Sequence, residues 1–373
     1  SIVLRVVECD RRERRRVTPA DAAASCSPST GAPTRSSIVG HATGTGADPS
    51  DPLAIRRSSA SGAAVSGEQS ASGVRRDRVE GLARELHEEL GIELEHARPL
   101  IRFRHRYPEL EVELDAWRVT RWQGEPQGLE GQAIDWQPPA ALLDYGLLPA
   151  DAPILGALRL PSLVLVTPPG APAGEGEFLD ALEASVVGCG VSAAAERDLL
   201  VVLRRPDLEP ADLLELAAGA ACRLDGSGAR LLLHGDPKVL GPLLLEPPAP
   251  LRARLAGVLA GLHSPSRFLS GLAGRPVPPE WLFGVSCHDA AELAAANAAR
   301  ADYAFLGNLE PSASHPGRPG IGWEAFTALV DELPLPVYAI GGLGPEDLPA
   351  AWSAGGQGIA AIQALWRGIR WEI

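Results

Sequence analysis

The sequence predicts an α/β protein that ends in a (β/α)8 barrel. From residue 161 onward, apolar runs of strand length alternate with Ala-rich stretches of helical character, a pattern typical of parallel α/β folds. Eight such runs fall within residues 161–366, which is the number of strands that closes a barrel of this kind. The runs are 163–166, 199–203, 229–233, 260–263, 282–286, 303–306, 336–340 and 358–362.

Composition and charge narrow the classes of partner. The chain has 373 residues, enough for two domains, and its hydrophobic content of 45% is ordinary for a globular protein. Its net charge of −13 argues against a nucleic acid duplex as a partner, whereas a nucleotide whose phosphates are carried by metal ions stays compatible. The sequence contains no apolar run of membrane-spanning length, so no membrane partner is expected.

The cysteines indicate a compartment. Five cysteines are scattered without the C-x-x-C spacing of a zinc site or the pattern of a disulfide scaffold. No secretory signal is found. Reduced thiols in a cytoplasmic protein are therefore expected.

Residues 1–78 predict a low-complexity segment. Beyond the first seven residues, Ser, Ala, Gly, Thr, Pro and Arg dominate it, with no sustained period of 2 or 3.6 residues. Such a composition buries too little apolar surface to offset the entropy of ordering, so disorder is expected. The chain has one lysine, Lys238, against many arginines, which suggests a GC-rich gene. A frame shift upstream of Val79 is a further hypothesis, under which residues 1–78 are a non-native translation.

Residues 84–92 place three carboxylates on one side of a short predicted helix. At ~3.6 residues per turn, Glu85, Glu88 and Glu89 stand at i, i+3 and i+4, close enough to hold one divalent cation. Oxygen ligands of this kind suit Mg²⁺ or Mn²⁺. Gly91 follows the helix, where a left-handed cap needs glycine. The alternative is an ordinary solvated helix face, because charge runs usually are that.

The spacing of Arg84, these glutamates and Gly91 resembles the second half of the Nudix box of pyrophosphohydrolases. The resemblance implies an α/β/α Nudix domain at 79–157, incomplete because Ser70 and Arg76 take the positions of the motif's first Gly and first Glu. It also implies that Arg84 orients the metal-binding carboxylates. The implied activity is Mg²⁺-dependent hydrolysis of a nucleoside triphosphate such as 8-oxo-dGTP, which is the reaction of the MutT branch.

Two later segments extend this resemblance. The run 111–117 alternates polar and apolar residues, which predicts a half-exposed antiparallel strand. The segments 130–132 (Glu-Gly-Gln) and 135–136 (Asp-Trp) resemble an element of the MutT branch. This similarity implies Glu130 as a further metal ligand or as the general base.

Asp151 is the candidate substrate-binding residue of the same domain. The segment 148–154 is similar to the MutT segment that reads the edge of an oxidised guanine, and Asp151 holds the reading position. A carboxyl group can bond a purine edge, although with a different donor pattern from the branch's Asn. A helix N-cap before an apolar run is the alternative role.

The ends of the predicted barrel strands carry a second resemblance. The segments 284–289, 301–307, 311–316 and 336–342 are similar in order and spacing to the thiamine phosphate synthase/TenI family, whose fold is a TIM barrel. The phosphate site that this implies consists of Ser312, Ser314, Gly341, Gly342, Ile362 and Gln363. Glycine lets an anion approach the main chain, and the loops after strands 7 and 8 are the usual phosphate site of such barrels. A tight strand-to-helix turn is the alternative role of the two glycines.

Three further candidates of the barrel are Arg204, Ser286 and His288. His288 is either a catalytic residue or a structural histidine. Arg204 is what remains of the synthases' Gln-x-Arg, because Val202 replaces the Gln, and no acid follows His263 in the fourth loop. The synthases bind Mg²⁺ under the diphosphate with such acids. The barrel is therefore expected to bind a phosphorylated small molecule, or none, and not to form thiamine phosphate.

The chain is thus predicted to be a Mg²⁺-dependent nucleoside triphosphate pyrophosphohydrolase of the 8-oxo-dGTP diphosphatase type, joined to a TenI-like barrel at 161–366 whose role is unassigned. The alternative is a phosphate-ligand-binding or thiamine phosphate synthase-related barrel that carries a defective Nudix remnant. These two functions differ in which part of the chain acts.

Overall fold

The computed structural model describes most of the chain from residue 71 onward and three short pieces before it. The described residues are 2–9, 38–40, 59–60, 71–108, 111–131, 134–137, 139, 141–144, 148–170, 174–190, 199–272, 274–311 and 319–368. The chain divides into two compact units, Ser1–Ala152 and Pro153–Ile373. This division lies slightly before the junction at 157–161 that the sequence predicts. Within the described residues, no helix has the length and apolar character needed to cross a membrane.

In the described residues of the first unit, one long helix accompanies one sheet. Its elements are β1 (Ile2–Cys9), β2 (Ile38–Gly40), β3 (Ser59–Ala60), α1 (Ala71–Leu90), β4 (Glu93–Arg106), β5 (Glu111–Gln123) and β6 (Ile134–Trp136). The sheet has the strand order β4-β5-β1-β2-β6, with β3 beside β1. The burial of residues 111–117 in β5 alternates for most of the run, so the predicted half-exposed strand is confirmed.

The segment 1–78 contributes to this sheet, which differs from the expectation for it. β1 pairs antiparallel with β5 along its whole length, from Ile2 opposite Val119 to Cys9 opposite Val112. The run Ile-Val-Leu-Arg-Val-Val is rich in β-branched residues, which suit a strand between two neighbours. α1 also begins before residue 79. The rest of the expected disorder falls on residues 10–37, 41–58 and 61–70, outside the described residues.

Helix α1 packs one apolar stripe on the sheet. Leu82, Leu86 and Leu90, at i, i+4 and i+8, are fully buried. They share a core with Trp117 and Val119 of β5. This stripe fixes the rotation of α1 about its own axis, and the rotation decides which of its polar side chains reach solvent.

The predicted cap at Gly91 is confirmed. Gly91 has φ of +67°, and its N–H donates to the carbonyl of His87 at 3.0 Å. The N–H of Ile92 donates to the carbonyl of Leu86 at 3.5 Å. This pair of bonds satisfies carbonyls that the end of a helix would otherwise leave open.

The second unit is a closed barrel of eight parallel strands, as the sequence predicts. The strands are β7 (Leu163–Val166), β8 (Leu199–Leu203), β9 (Ala229–His234), β10 (Leu259–Pro265), β11 (Leu282–Cys287), β12 (Tyr303–Leu306), β13 (Val337–Ile340) and β14 (Gly358–Ala361). They pair in sequence order, and β14 closes on β7. The helices are α2 (Ala152–Leu158), α3 (Glu175–Gly188), α4 (Pro210–Leu224), α5 (Pro237–Leu245), α6 (Ala249–Leu255), α7 (Ala290–Ala298), α8 (Gly322–Val330) and α9 (Leu348–Ser353).

Side chains fill the barrel interior. Tyr303, Phe305 and Tyr338 are buried there together with aliphatic residues of the other strands. The hydroxyl of Tyr338 donates to the carbonyl of Pro161, which precedes β7 at the N-terminal end, at 2.6 Å. Above this packed interior, a cavity opens at the C-terminal strand ends.

Candidate functional site

A cavity of about 770 Å³ opens at the C-terminal ends of the barrel strands. Its walls include residues from the second to the fifth strands and from the loops after strands 6, 7 and 8. In a closed parallel barrel, neighbouring strands present these ends side by side. Functional groups far apart in sequence therefore share one cavity.

One wall of the cavity is cationic. Arg204 follows β8, His234 ends β9 and Arg267 follows β10, and all three line the cavity. Burial, and then the charge of Arg267, lower the pKa of Arg204. Among the described residues, no carboxylate pairs with either arginine. The two guanidinium groups therefore present uncompensated positive charge to the cavity.

His234 responds to this charge. Burial, and then the charges of Arg204 and Arg267, lower the pKa of His234 to about 4. The imidazole is therefore neutral at pH 7. An anion that enters the cavity would offset both arginine charges and make protonation of His234 easier.

The cavity does not suit a divalent cation. Among the described residues that line it, none is Asp or Glu. Asp236, the acid nearest the end of β9, is occupied elsewhere, because its Oδ1 accepts the N–H of Lys238 at 2.9 Å and caps α5. Across the described part of the chain, no group of three His, Cys, Asp or Glu side chains is arranged to hold a metal. The described residues of this cavity therefore offer no carboxylate ligands to the Mg²⁺ that the synthase resemblance implies.

A buried chain of hydrogen bonds reaches the cavity through Ser286. Nε2 of His263 lies 2.8 Å from Oγ of Ser286, and Nδ1 lies 3.1 Å from the hydroxyl of Tyr303. The imidazole is 1% exposed and stacks on Phe305 at 4.1 Å between centroids. Burial, and then the neighbouring His234, hold the pKa of His263 well below its usual value. Burial also raises the pKa of Tyr303 well above its usual value, so both groups are neutral.

His288 is exposed at the cavity wall and has a fixed partner. Its Nδ1 lies 2.9 Å from Oε2 of Glu292, which also accepts the backbone N–H of His288 at 2.7 Å. A carboxylate on Nδ1 favours the proton there and leaves Nε2 as the other functional atom. His288 is thus both held in place and accessible to a ligand. The structure is therefore compatible with a catalytic role and with a structural role for this histidine.

Cys287 lies between Ser286 and His288 and is buried. It borders the cavity, but its side chain is 2% exposed and packs in the core between the strands and the helices. Burial, followed by the charges of Glu292 and Asp289, raises the pKa of this thiol to about 12. The thiol is therefore protonated at neutral pH.

The loops after strands 7 and 8 form the opposite wall. Gly341, Gly342, Ile362 and Gln363 line the same cavity, as the predicted phosphate site requires. Ser312 and Ser314 of that prediction lie outside the described residues. Among the described turns, the N–H groups of Gly342 and Gln363 donate no backbone hydrogen bond.

The two glycines also have a structural role. Gly341 has φ of +111° and Gly342 has φ of +74°, which L side chains rarely adopt. A Cβ atom on Gly341 would lie 2.0 Å from Oδ1 of Asn308. The two glycines therefore form a tight turn and, in doing so, bring the main chain close to the cavity.

The glutamates of α1 do not form a shared cation site in the described residues. Glu89 is 3% exposed on the side of the leucine stripe, Glu85 is partly buried and Glu88 is exposed. Nη2 of Arg84 lies 3.9 Å from Oε1 of Glu85. The spacing i, i+3 and i+4 allows three carboxylates to meet, but the buried stripe turns Glu89 inward and leaves Glu88 outside.

Of the two other candidates of the first unit, Glu130 follows Leu129, whose N–H donates to the carbonyl of Glu89 at 3.0 Å. Glu130 is exposed in the turn after β5. Asp151 is 3% exposed, and its Oδ2 accepts the N–H of Leu148 at 3.0 Å. This local bond resembles the capping role that the sequence left open for Asp151, although it lies at the third position of the turn and not at its first.

Sequence reasoning did not propose three cavity residues, His234, His263 and Arg267, or Tyr303, which contacts His263 below the cavity. The first three stand directly at or after the ends of predicted strands, so the rule that barrel sites lie at C-terminal strand ends could have identified them. Tyr303 gives no such signal, because it lies at the start of β12.

The comparisons with known proteins agree with the barrel. The thiamine monophosphate synthase family model matches residues 252–365. A thiamine-phosphate synthase of Azorhizobium caulinodans is 31% identical over 206 residues, which are 55% of this chain and 86% of the relative. A thiamine-phosphate synthase of Mycobacterium bovis is 37% identical over 116 residues, which are 30% of this chain and 52% of the relative.

A shorter match concerns the resemblance to the Nudix pyrophosphohydrolases. An 8-oxo-dGTP diphosphatase of Escherichia coli is 34% identical over 80 residues, which are 21% of this chain and 62% of that enzyme. This match is partial in both proteins. The larger matches, together with the closed eight-stranded barrel, show that the chain belongs to the thiamine-phosphate synthase family.

Proposed function

We propose that the barrel binds a phosphorylated small molecule in its C-terminal cavity and neutralises it with side-chain cations in place of a metal. The observation that carries this proposal is the pair Arg204 and Arg267, which line the cavity with no carboxylate partner among the described residues. Guanidinium groups bind phosphate oxygens through charge-assisted hydrogen bonds. The cavity volume of about 770 Å³ is in the usual range for small-molecule sites.

The two walls of the cavity would bind different parts of the ligand. The arginines that follow strands 2 and 4 would attract one anionic group, and the N–H groups of Gly342 and Gln363 would donate to another. Ser312 and Ser314 would join the second group if they act as the family resemblance implies. His288, with Nδ1 held by Glu292, would contact the part of the ligand between them.

Thiamine phosphate formation is not the reaction that these residues favour. In the synthases, as the resemblance implies, carboxylates hold the Mg²⁺ that carries the diphosphate. The described residues of this cavity contain no carboxylate, and Val202 stands where the synthases have the Gln that holds the pyrimidine. We therefore propose a barrel that is related to the synthases and keeps their anion site in a metal-free form.

Titration calorimetry with inorganic pyrophosphate tests this proposal. Binding should persist at the same affinity in EDTA, and Arg204→Met or Arg267→Met should weaken it about tenfold each, since each removes a charge-assisted bond. Arg223→Met is the matched control, because Arg223 lies on α4 and pairs with Asp180 and Glu183. Equal affinity in all four proteins, or binding that requires Mg²⁺, would contradict the proposal. So would thiamine phosphate formation that Arg204→Met abolishes.

The second candidate function is Mg²⁺-dependent hydrolysis of a nucleoside triphosphate such as 8-oxo-dGTP by the first unit. The partial match to the Escherichia coli diphosphatase favours it. The described carboxylates do not form a three-ligand cation site, so no metal-dependent step is derived from them. The test is pyrophosphate release from 8-oxo-dGTP, with Glu88→Gln compared with Glu80→Gln, another exposed residue of α1. Loss in Glu88→Gln alone would support the hydrolase, and no release by the unaltered protein would exclude it.

A further inference from the structure

We infer that Tyr303 and His263 form a hydrogen-bond relay with one fixed direction, which holds Ser286 as a hydrogen-bond donor to an anionic oxygen in the cavity. This inference rests on the proposed function for the ligand class, but the direction of the relay rests on geometry alone. Tyr303 lies on β12, His263 on β10 and Ser286 on β11, so the relay joins three adjacent strands.

The hydroxyl of Tyr303 sets the direction. Tyr303 is fully buried, and the only hydrogen-bond partner of its hydroxyl among the described residues is Nδ1 of His263 at 3.1 Å. A buried phenol proton without an acceptor is strongly disfavoured, because the hydroxyl loses its hydrogen bond to water and gains none in the protein. The hydroxyl therefore donates, and Nδ1 accepts.

The tautomer of His263 follows. A neutral imidazole carries one proton, and if Nδ1 accepts, the proton is on Nε2. Nε2–H then donates to Oγ of Ser286 at 2.8 Å. The opposite tautomer would let His263 accept the proton of Ser286 and would make the serine a nucleophile, but it would leave the buried phenol proton without a partner.

The role of Ser286 is the consequence. Because Oγ accepts from His263, the hydroxyl hydrogen of Ser286 must point to another acceptor, and the side chain lines the cavity. The His234 ring is stacked on His263 with 5.9 Å between centroids, which connects this donor to the cationic wall. A phosphate oxygen held by Arg204 and Arg267 is an acceptor of the required charge.

The strand arrangement makes the relay possible. Gly284 of β11 is paired with Tyr303 in the ladder. A Cβ atom on Gly284 would lie 2.1 Å from Cζ of Tyr303. The absence of a side chain at this position lets the phenol ring pass β11 and reach His263 on the strand beyond it.

The tautomer can be measured directly in the unaltered protein. Nitrogen-15 NMR of the histidine-labelled protein should show His263 as neutral at pH 7, with Nε2 protonated and Nδ1 unprotonated. Protonation at Nδ1 would overturn the inference. This measurement needs no ligand, so it decides the direction of the relay even if pyrophosphate does not bind and the proposed function fails.

Two tyrosine variants test the effect on binding. In Tyr303→Phe, Nδ1 loses its donor, the imidazole proton can move to Nδ1, and Nε2 can then draw the Ser286 hydrogen away from the ligand. Pyrophosphate affinity should fall about three- to tenfold, and Ser286→Ala should lower it by about tenfold. Tyr338→Phe is the matched control, because this buried hydroxyl donates to Pro161 at the other end of the barrel, and its affinity should equal that of the unaltered protein.

A double variant separates the relay from general damage. Since Tyr303 is inferred to act only through Ser286, the variant Ser286→Ala/Tyr303→Phe should bind no more weakly than Ser286→Ala. Additive losses, or equal losses in Tyr303→Phe and Tyr338→Phe, would show that the phenol supports the fold and not the donor, and would overturn the inference.

Discussion

The barrel and the first unit differ in how sequence distance relates to the position of the candidate site residues. In the barrel, Arg204, Ser286 and Gly342 come from separate strand ends and meet in one cavity. In the first unit, Glu85, Glu88 and Glu89 are neighbours in sequence, yet the packing of α1 places them in different surroundings. Strand ends of a closed barrel converge whatever the side chains are, whereas residues on a helix share a site only when the buried stripe leaves their face free.

The largest effect that would sharpen this comparison is expected at Gly284. In Gly284→Ala, the new methyl group would overlap the fully buried ring of Tyr303, so the free energy of unfolding should fall by about 3 kcal/mol or more. Urea denaturation measures it. Gly176→Ala on α3 is the control, because no atom lies within 4 Å of the added Cβ. An equal change in both variants would show that the ring of Tyr303 does not pack closely against Gly284.

The next effect is a pH dependence that belongs to the barrel. The pKa of His234 is about 4 in the folded protein and near 6.5 when unfolded, so its contribution to stability is complete above pH 6.5 and is lost as the pH falls through 4. The free energy of unfolding should fall by about 2 kcal/mol over this window, and His263 acts in the same direction. Denaturation of His234→Gln at pH 7 and pH 4.5 should give a smaller difference than the unaltered protein, and an unchanged difference would contradict the assignment.

A smaller effect is expected where α1 joins its sheet. Nε of Arg78 donates to Asp115 at 2.8 Å, and the guanidinium carbon lies 5.2 Å from the centroid of the Trp117 ring. Arg78→Met should lower the free energy of unfolding by about 1 kcal/mol, because the pair is partly buried. Arg106→Met, at an exposed pair with Glu111, should change it much less. Equal losses would mean that Arg78 does not anchor the helix.

The smallest effect tests the rotation of α1. Glu88→Gln should change the free energy of unfolding by less than about 0.5 kcal/mol, because Glu88 is exposed. Glu89→Gln should cost more, since this carboxylate is 3% exposed. Thermal unfolding of the two variants side by side would show it, and the reverse order would mean that the helix presents its other face to the core.

Much of the barrel could be predicted because its signals are local. Each buried strand is a short apolar run, and Gly341-Gly342 predicts both a turn and an approach of main chain to the cavity. The contact between Tyr303 and His263 could not be predicted, because it depends on the register that sets Tyr303 opposite Gly284. The buried position of Glu89 could not be predicted either, because the leucines at i and i+4 lie on the same side of the helix as this glutamate.

The cationic wall was missed for a different reason. Arg267 and His234 lie in loops where the synthase resemblance leads one to expect acids. Their role in binding an anion becomes evident only in the structure, which places Arg204 in the same cavity without a described carboxylate. Charge complementarity is a property of a set of residues from several loops. No single loop of this chain reveals it.

The buried thiol of Cys287 makes the barrel suitable for chemical labelling. Alkylating reagents react with thiolates, and a thiol with a pKa of about 12 has almost none at neutral pH. In the folded protein, iodoacetamide should therefore modify the exposed Cys222 and spare Cys287, although Cys287 borders a cavity. When the strands separate, the thiol of Cys287 becomes exposed and regains ordinary reactivity. The rate at which Cys287 is alkylated therefore reports how often the barrel opens.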